Sequence, residues 1–509
     1  HPALHSIAII TILGMFAVVL VAYTAEPVIF NAFVTKPTSQ GRPPFTLWAI
    51  LRNIVFYIPP VLGSAFILLL SSVAMLVPAK KSSRQAAIGW MLHRACRILV
   101  GYAAFIHPRR IGPDGERIRS WKGEAGVIVA NHQSSLDIIM ILATFPKVKF
   151  MVADWVLTSP LFGAISRFLG YYSRSEGYEK SLERLRTDVA DGWCLAVFPE
   201  GTRSLNGRIK RFHKGAFYLA SQVGVPVIPV VFYGNWRIAP KNQGFNMTEG
   251  IAVTEILPPV QSAGIEYYEL TSRISALVKS EYAELCRKYD GPVNPYFRKA
   301  LVSSYIYKGP VTEWYVKVKT KMEDSYSFFH SVLPREGRIT DIGCGMGQMD
   351  FMLSMYCPER RIIGIDYDAD KIAVAQNSWL LKNLPDLEFR CGNAAECELP
   401  ESNAFVISDM LHYLDVEAQE ALIRRCAERL LPGGMILVRD SDSENAKGQK
   451  VTALSEVFST RILAFNRTQG ELNFISHSRM SSIASAVGLK MTVRSNDAVT
   501  SNTFYILKF

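Results

Sequence analysis

Residues 6–25 carry no charged side chain and form a run long enough to cross a bilayer as a helix. Exposing so much apolar surface to water is costly, so part of this chain is expected to lie in a membrane. Lys36, Arg42 and Arg52 follow, in a stretch punctuated by Pro37, Gly41, Pro43 and Pro44. A second uncharged run, 53–79, is interrupted by Pro59-Pro60, which predicts a broken or kinked helix. Lys80, Lys81 and Arg84 close it. Positive charge therefore lies on both flanks, and the positive-inside rule chooses no orientation. A kinked hairpin in one leaflet keeps both flanks cytoplasmic and is preferred over a full span.

A length of 509 residues suits two or three domains. The hydrophobic content of 49% is high for a soluble protein and low for a polytopic transporter, which fits soluble domains with a small membrane part. The net charge of +11 divides into +2 for 1–79, +10 for 80–290 and −1 for 291–509. The basic middle segment suits an anionic membrane or a phosphorylated substrate. No nucleic-acid motif accompanies it, so no nucleic-acid partner is expected. Cys96, Cys194, Cys286, Cys344, Cys357, Cys391, Cys397 and Cys426 form no CxxC pair and read as reduced thiols in a cytosolic compartment. The histidines show no metal-ligand spacing, so no metal is expected. The chain begins at His1 without a basic secretory start, as a processed protein or a piece of a longer one would.

Beyond Arg84, short apolar runs alternate with amphipathic stretches. Residues 125–130, 194–198 and 225–232 read as buried strands, and 182–189 and 272–288 as helices. This alternation predicts an open α/β sheet over 84–290. Gly291-Pro292 and Asn294-Pro295 mark a boundary. A polar helical linker, 291–320, leads to a second β/α series over 321–509, so the fold class is α/β with membrane helices in 1–83.

The strand 127–130 runs into Asn131-His132-Gln133-Ser134-Ser135-Leu136-Asp137 and then an apolar helix. A carboxylate at Asp137 can hold one imidazole nitrogen of His132 and leave the other as a general base. That is two thirds of a triad, with the substrate's own hydroxyl in place of a protein nucleophile. Alone, a histidine and an aspartate five residues apart equally describe a satisfied loop hydrogen bond. A second strand ends in Phe198-Pro199-Glu200-Gly201-Thr202-Arg203, whose guanidinium suits a phosphate. With these blocks, residues 84–290 resemble the glycerolipid acyltransferases typified by 1-acylglycerol-3-phosphate acyltransferase. The resemblance rests on four blocks in order: 131–137, Gly170-Tyr171-Tyr172-Ser173-Arg174, 198–203 and Val225-Pro226-Val227-Ile228-Pro229-Val230. It implies His132 as base and Asp137 as its orienting partner. It further implies that Lys149, Gly170, Arg174, Glu200, Gly201, Thr202 and Arg203 hold the acyl acceptor, with acyl-CoA or acyl-carrier protein as donor. Tyr172 or Ser173 stands where that family usually has an aliphatic residue.

In the second series, Arg338-Ile339-Thr340-Asp341-Ile342-Gly343-Cys344-Gly345-Met346-Gly347 is a strand followed by a glycine-rich turn. The G-x-G-x-G spacing differs from the G-x-G-x-x-G of a pyrophosphate cradle. A next strand ends at Asp366, where a carboxylate can accept ribose hydroxyls, and a third leads to Asn393. These landmarks, with 405–413 and 430–435, resemble the class I S-adenosylmethionine-dependent methyltransferases, a Rossmann-like fold. The resemblance implies S-adenosyl-L-methionine as cofactor. Asp341, Gly343, Gly345 and Gly347 would line its methionine part, Asp366 its ribose and Asn393 its adenine. His412, Tyr413, Asp409 and Asp440 lie near strand ends that face the site in this fold, His412 being the best base by chemistry.

Residues 1–30 are similar to the last transmembrane helix of an RND/MMPL-type exporter. Together these resemblances suggest a bifunctional enzyme at the cytoplasmic (inner) membrane of a bacterium, with both catalytic domains facing the cytoplasm. Its partners would be membrane lipids, acyl-carrier protein and exporter segments of a longer chain. Alternatives are acylation and methylation of an aryl-polyene or flexirubin-type pigment lipid, or one domain serving as a non-catalytic scaffold.

Overall fold

Strand residues that are apolar on both faces form sheets covered on both sides. In the segment Phe45–Tyr296, β1 (Ile106–Ile111), β2 (Val127–Ala130), β3 (Val148–Val152), β4 (Tyr172–Ser173), β5 (Cys194–Val197), β6 (Val227–Tyr233) and β7 (Gly250–Ile256) make one sheet. Its order is β1-β7-β6-β2-β5-β3-β4, parallel throughout except for β6 against β7. Ile128 packs on one face with Met140, Val148 and Ile228. Val127 and Val129 pack on the other with Leu195, Phe217 and Ile274. The polar strand β1 sits at the sheet edge, where Pro108 removes no central ladder bond.

The computed structural model describes residues 2–76, 78–160, 162–241, 246–323, 325–441, 472–495 and 502–509. It divides into two units, Phe45–Tyr296 and a second made of His1–Pro44 and Phe297–Phe509. The second holds β8 (Gly337–Ile342), β9 (Arg360–Asp366), β10 (Leu387–Cys391), β11 (Ser402–Ser408), β12 (Leu430–Ser441), β13 (Lys490–Ser495) and β14 (Asn502–Lys508). Their order is β10-β9-β8-β11-β12-β14-β13, with β14 antiparallel to both neighbours. The strand order reverses at β8, between β9 and β11, the switch point where open α/β sheets leave a crevice for ligands.

The segment around Pro59-Pro60 departs from expectation. A single helix, Leu47–Leu76, runs through both prolines and forms no hairpin. An internal proline costs about 3 kcal/mol. Burying one large apolar side chain returns about 1.5–3 kcal/mol. Phe56 before the prolines packs edge-on to Phe105, and Ile67 after them packs with Ile88, Ile165 and Trp193. Asn53 also accepts the Met247 amide at 2.9 Å. Packing on both sides of the pair therefore carries the helix through. This helix and the one before it, over Pro2–Ser39 and Leu47–Leu70, are long and apolar enough to cross a membrane.

The expected hydrophobic segment 1–83 is shared between the units. The helix Pro2–Phe30 continues through a π-helical turn, Asn31–Thr35, into Lys36–Ser39. Its end is held in the second unit: Lys382 Nζ donates to the Ser39 carbonyl at 2.8 Å and Asn383 Nδ2 to that of Gly41 at 2.7 Å. The expected linker contains the helices Pro295–Ser304 and Pro310–Met322. Phe297 meets Tyr356 edge-on at 5.1 Å, and Leu301 and Val316 are buried, so these helices help build the second core.

Candidate active sites

β2 and β5 are parallel neighbours, with Val129 opposite Val197. Their carboxyl ends therefore deliver the His132 turn and the Glu200 turn to the same place. Asp137 opens the helix Leu136–Thr144 and is 0% exposed. Its Oδ2 lies 2.9 Å from His132 Nδ1 and accepts the amides of Gln133 at 2.6 Å and Ser134 at 2.8 Å. Its Oδ1 accepts Asn235 Nδ2 at 2.8 Å. A carboxylate so held fixes the Nδ1–H tautomer and turns Nε2 outward. The imidazole stacks on Phe198, with centroids 3.9 Å apart. Among the described residues, no serine or cysteine side chain bonds to His132.

The two turns are also laced together. Glu200 accepts the His132 amide at 2.7 Å through one oxygen and the Lys210 amide at 2.8 Å through the other. The Ser204 amide donates to the His132 carbonyl at 2.7 Å. Burial pushes the Glu200 carboxyl above its usual range, by more than the two amides lower it. Glu200 was expected to hold the acceptor, but its carboxylate is directed at backbone amides, where it braces the site. Gly201 takes φ +69° in this turn. Thr202 is exposed, and its hydroxyl accepts Lys241 Nζ at 2.9 Å; the same Nζ reaches the Arg203 carbonyl at 3.3 Å. Arg203 is half-buried beside them.

The remaining expected acceptor residues lie farther along the sheet. Arg174 is exposed just past β4, three strands from β2, or about 14 Å at the usual strand spacing. Lys149 is buried in β3, with Nζ 2.6 Å from Asp188 and 5.2 Å from the centre of the Trp193 ring. The Asp188 carboxylate satisfies its charge, so Lys149 supports the core and presents no free cation to an acceptor. Tyr172 gives its hydroxyl to the other Asp188 oxygen at 2.7 Å and lies under the Arg184 guanidinium. This network explains the departure from an aliphatic residue there. Gly170 caps the helix Gly163–Leu169 in the left-handed region at φ +75°, a structural task.

In the second unit, β8 ends in a turn where Gly343, Gly345 and Gly347 take φ of +80°, +58° and +77°. Gly347 starts the helix Gln348–Tyr356, and a Cβ there would lie 2.3 Å from the Phe389 ring. Asp341 and Asp350 are buried together, and desolvation raises both carboxyls, Asp350 to about 7. Asp341 Oδ1 and Gln348 Nε2 are buried without a hydrogen-bond partner. At the end of β9, Asp366 accepts the amides of Gly345 at 2.8 Å and Asp368 at 2.9 Å. Past β10, Asn393 Oδ1 accepts the Ala395 amide at 3.1 Å. The donor set fits S-adenosylmethionine: an orphaned carboxylate oxygen suits its ammonium, and open space at the Gly345 Cα admits a ligand against the backbone.

β11 and β12 are parallel neighbours, which brings His412 to Asp440. His412 Nδ1 lies 2.7 Å from Asp440 Oδ1, and its amide donates to Oδ2 at 3.1 Å. Tyr413 lies against the His412 ring. Asp409 takes φ +53° and approaches Arg439 at 3.3 Å. Sequence reasoning missed Asn235, Lys241 and Tyr305, whose hydroxyl donates to the Met346 carbonyl at 2.7 Å in the glycine turn. The first two follow the end of β6, and a polar residue just after a buried parallel strand was the available signal.

Two family models match separate parts of the chain: "Acyltransferase" over residues 113–233 and "Methyltransferase domain" over 339–434. The chloroplastic 1-acyl-sn-glycerol-3-phosphate acyltransferase BAT2 of Brassica napus is 36% identical over 118 residues, 22% of this chain and 34% of that protein. The match thus spans about a third of that relative's length. The 1-acyl-sn-glycerophosphate acyltransferase PlsC of Thermotoga maritima aligns with 24% identity and a TM-score of 0.41, covering 47% of this chain and 96% of that one. Human N-acetylserotonin methyltransferase, solved in complex with SAM, aligns with 16% identity and a TM-score of 0.32, over 41% and 58%. The chain joins an acyltransferase domain to a methyltransferase domain.

Proposed function

We propose that the first domain transfers an acyl group from a thioester, acyl-CoA or acyl-carrier protein, to a hydroxyl of a glycerolipid-like acceptor. Lysophosphatidate is the first candidate. The observation that carries this reading is the Asp137-held His132 joined to the Glu200 turn, with Arg203 and Lys241 beside it. His132 Nε2 takes the acceptor's hydroxyl proton as the oxygen attacks the thioester carbonyl. The C–S bond then breaks, and the departing thiolate recovers the proton from the imidazolium. Arg203 and Lys241 hold an anionic head group. The two apolar helices favour work at a membrane, taken here as a bacterial inner membrane with both domains on its cytoplasmic side.

We infer that the second domain methylates a hydroxyl. Bound S-adenosylmethionine supplies an electrophilic methyl group. Asp341 would hold the cofactor's ammonium and Asp366 its ribose, and the glycine turn would admit it to the backbone. The Asp440-held His412 takes the acceptor's proton.

Acyl transfer by the full chain in detergent tests the first reading: His132→Ala is expected to abolish it, and parental transfer sinks the proposed base. Calorimetric titration with S-adenosylhomocysteine tests the second; no heat of binding refutes the cofactor.

A further inference from the structure

Three of the four donors to Asp137 come from its own turn: His132, Gln133 and Ser134. The fourth arrives from 98 residues away. Asn235 is 0% exposed and opens the four-residue helical turn Asn235–Ile238 that follows β6. The chain can turn there because Gly234 takes φ +84°; a Cβ on it would meet the Ile251 carbonyl oxygen at 2.0 Å. The turn is pinned independently. Arg237, two residues on, is buried in a two-pronged pair with Asp290 at 2.7 and 3.0 Å. Thr248 donates to its carbonyl at 2.6 Å.

The Asn235 amide is half-used. Nδ2 donates to Asp137, while Oδ1 is buried without a partner. An apolar residue of similar shape would avoid that unsatisfied oxygen and its cost. What Asn235 adds is a donor to Asp137 Oδ1, which stops the carboxylate rotating and spreads its charge. A carboxylate that shares its charge pulls less on the imidazole proton.

We propose that Asn235 is a positioning residue of the acyltransferase site, acting through Asp137 to orient His132. This inference rests on the acyl-transfer reading above. Among the described residues, the other charged groups at the site are Glu200, which accepts the His132 amide from the β5 side, and Arg203 and Lys241 at the same turn. They stay in place when Asn235 is changed.

The test is the pH profile of acyl transfer by the full chain in detergent, for Asn235→Leu, Asn235→Ala and the isosteric Asn235→Asp. Losing the donor strengthens the hold of Asp137 on the imidazolium, so the acidic limb of kcat moves to higher pH. A move of about one unit in Asn235→Leu lowers the rate about tenfold at pH values below the limb, with the acceptor KM unchanged. Asn235→Asp sets a second carboxyl against the buried Asp137; the two share one proton, so the protonated carboxyl keeps a donor to Asp137 and the limb stays near its parental position. Asn235→Ala removes the donor as the leucine does and moves the limb the same way. Thermal melts check that each variant folds, and the alanine variant decides if the leucine variant does not. An unmoved limb in the variants without the donor, with or without a lower rate, overturns the proposal. His132→Ala is measured in parallel. If it transfers normally, the acyl-transfer reading fails; if it is inactive while the limb stays put, only the assignment of Asn235 fails.

Discussion

Replacing Asp137 by alanine and by asparagine should give two different failures. The carboxylate is fully buried and accepts four hydrogen bonds. Alanine leaves the amides of Gln133 and Ser134 and the side chain of Asn235 without an acceptor. Hydrogen bonds to a charged group contribute about 1.5–3 kcal/mol each, so the three together are worth roughly 4–9 kcal/mol. A domain's whole stability is about 5–15 kcal/mol, so Asp137→Ala should unfold or nearly unfold this unit. Asparagine can place its oxygen where Oδ2 stands and keep the three local donors. Its amide then faces Asn235, which can flip to offer its partnerless Oδ1. Only the charge is lost, which weakens each bond to the neutral range, at a total of about 2–3 kcal/mol. Catalysis suffers more, because an imidazolium at His132 has no counter-charge. A loss of about 10⁴-fold in kcat is expected, the scale of the same change in a serine-protease triad. Denaturant unfolding and single-substrate kinetics on both variants check the reasoning. Equal stability of the two variants, or Asp137→Asn activity within tenfold of the parent, refutes it.

The same geometry supports three more expectations. Glu200→Gln should lower kcat and leave the acceptor KM near the parental value, because Glu200 bonds the backbone of His132 and Lys210; a raised KM alone would restore it as an acceptor ligand. Gly347→Ala should lower S-adenosylhomocysteine affinity at least tenfold in a calorimeter, since the added methyl meets the Phe389 ring at 2.3 Å in a left-handed backbone. Burial raises the neighbouring carboxyls of Asp341 and Asp350, the latter from the free 3.8 to about 7. The unfolded chain therefore binds fewer protons above 3.8, and stability falls as pH rises through that window. Asp350→Asn should make that slope shallower, Asp341 keeping its share, and leave the second unit more stable than the parent at pH 8; a variant with the full parental slope would acquit Asp350.

What the sequence made legible follows from where its signals are local. β2, β5 and β6 announce themselves as apolar runs because both faces of a parallel strand are covered. His132 and Asp137 share one turn, so their pairing was readable. The bracing partners of Glu200, the amides of His132 and Lys210, were not legible because they appear only when β2 and β5 lie side by side. The pairing of Lys149 with Asp188 was hidden in the same way, since Asp188 arrives from a helix 39 residues on. The helices in 291–320 read as a linker because their buried residues are spread among many polar ones. Pro59-Pro60 read as a break because the packing of Phe56 and Ile67 is tertiary information.

The hold of Lys382 and Asn383 on the end of the first helix has a mechanical meaning. Lodged in a bilayer, that helix would be a mooring post fastened directly to the methyltransferase. The catalytic crevice would ride at a set height above the lipid and search for acceptors in two dimensions. A lipid-resident acceptor would pass beneath it repeatedly, while a molecule dissolved in the bulk would gain nothing from the mooring.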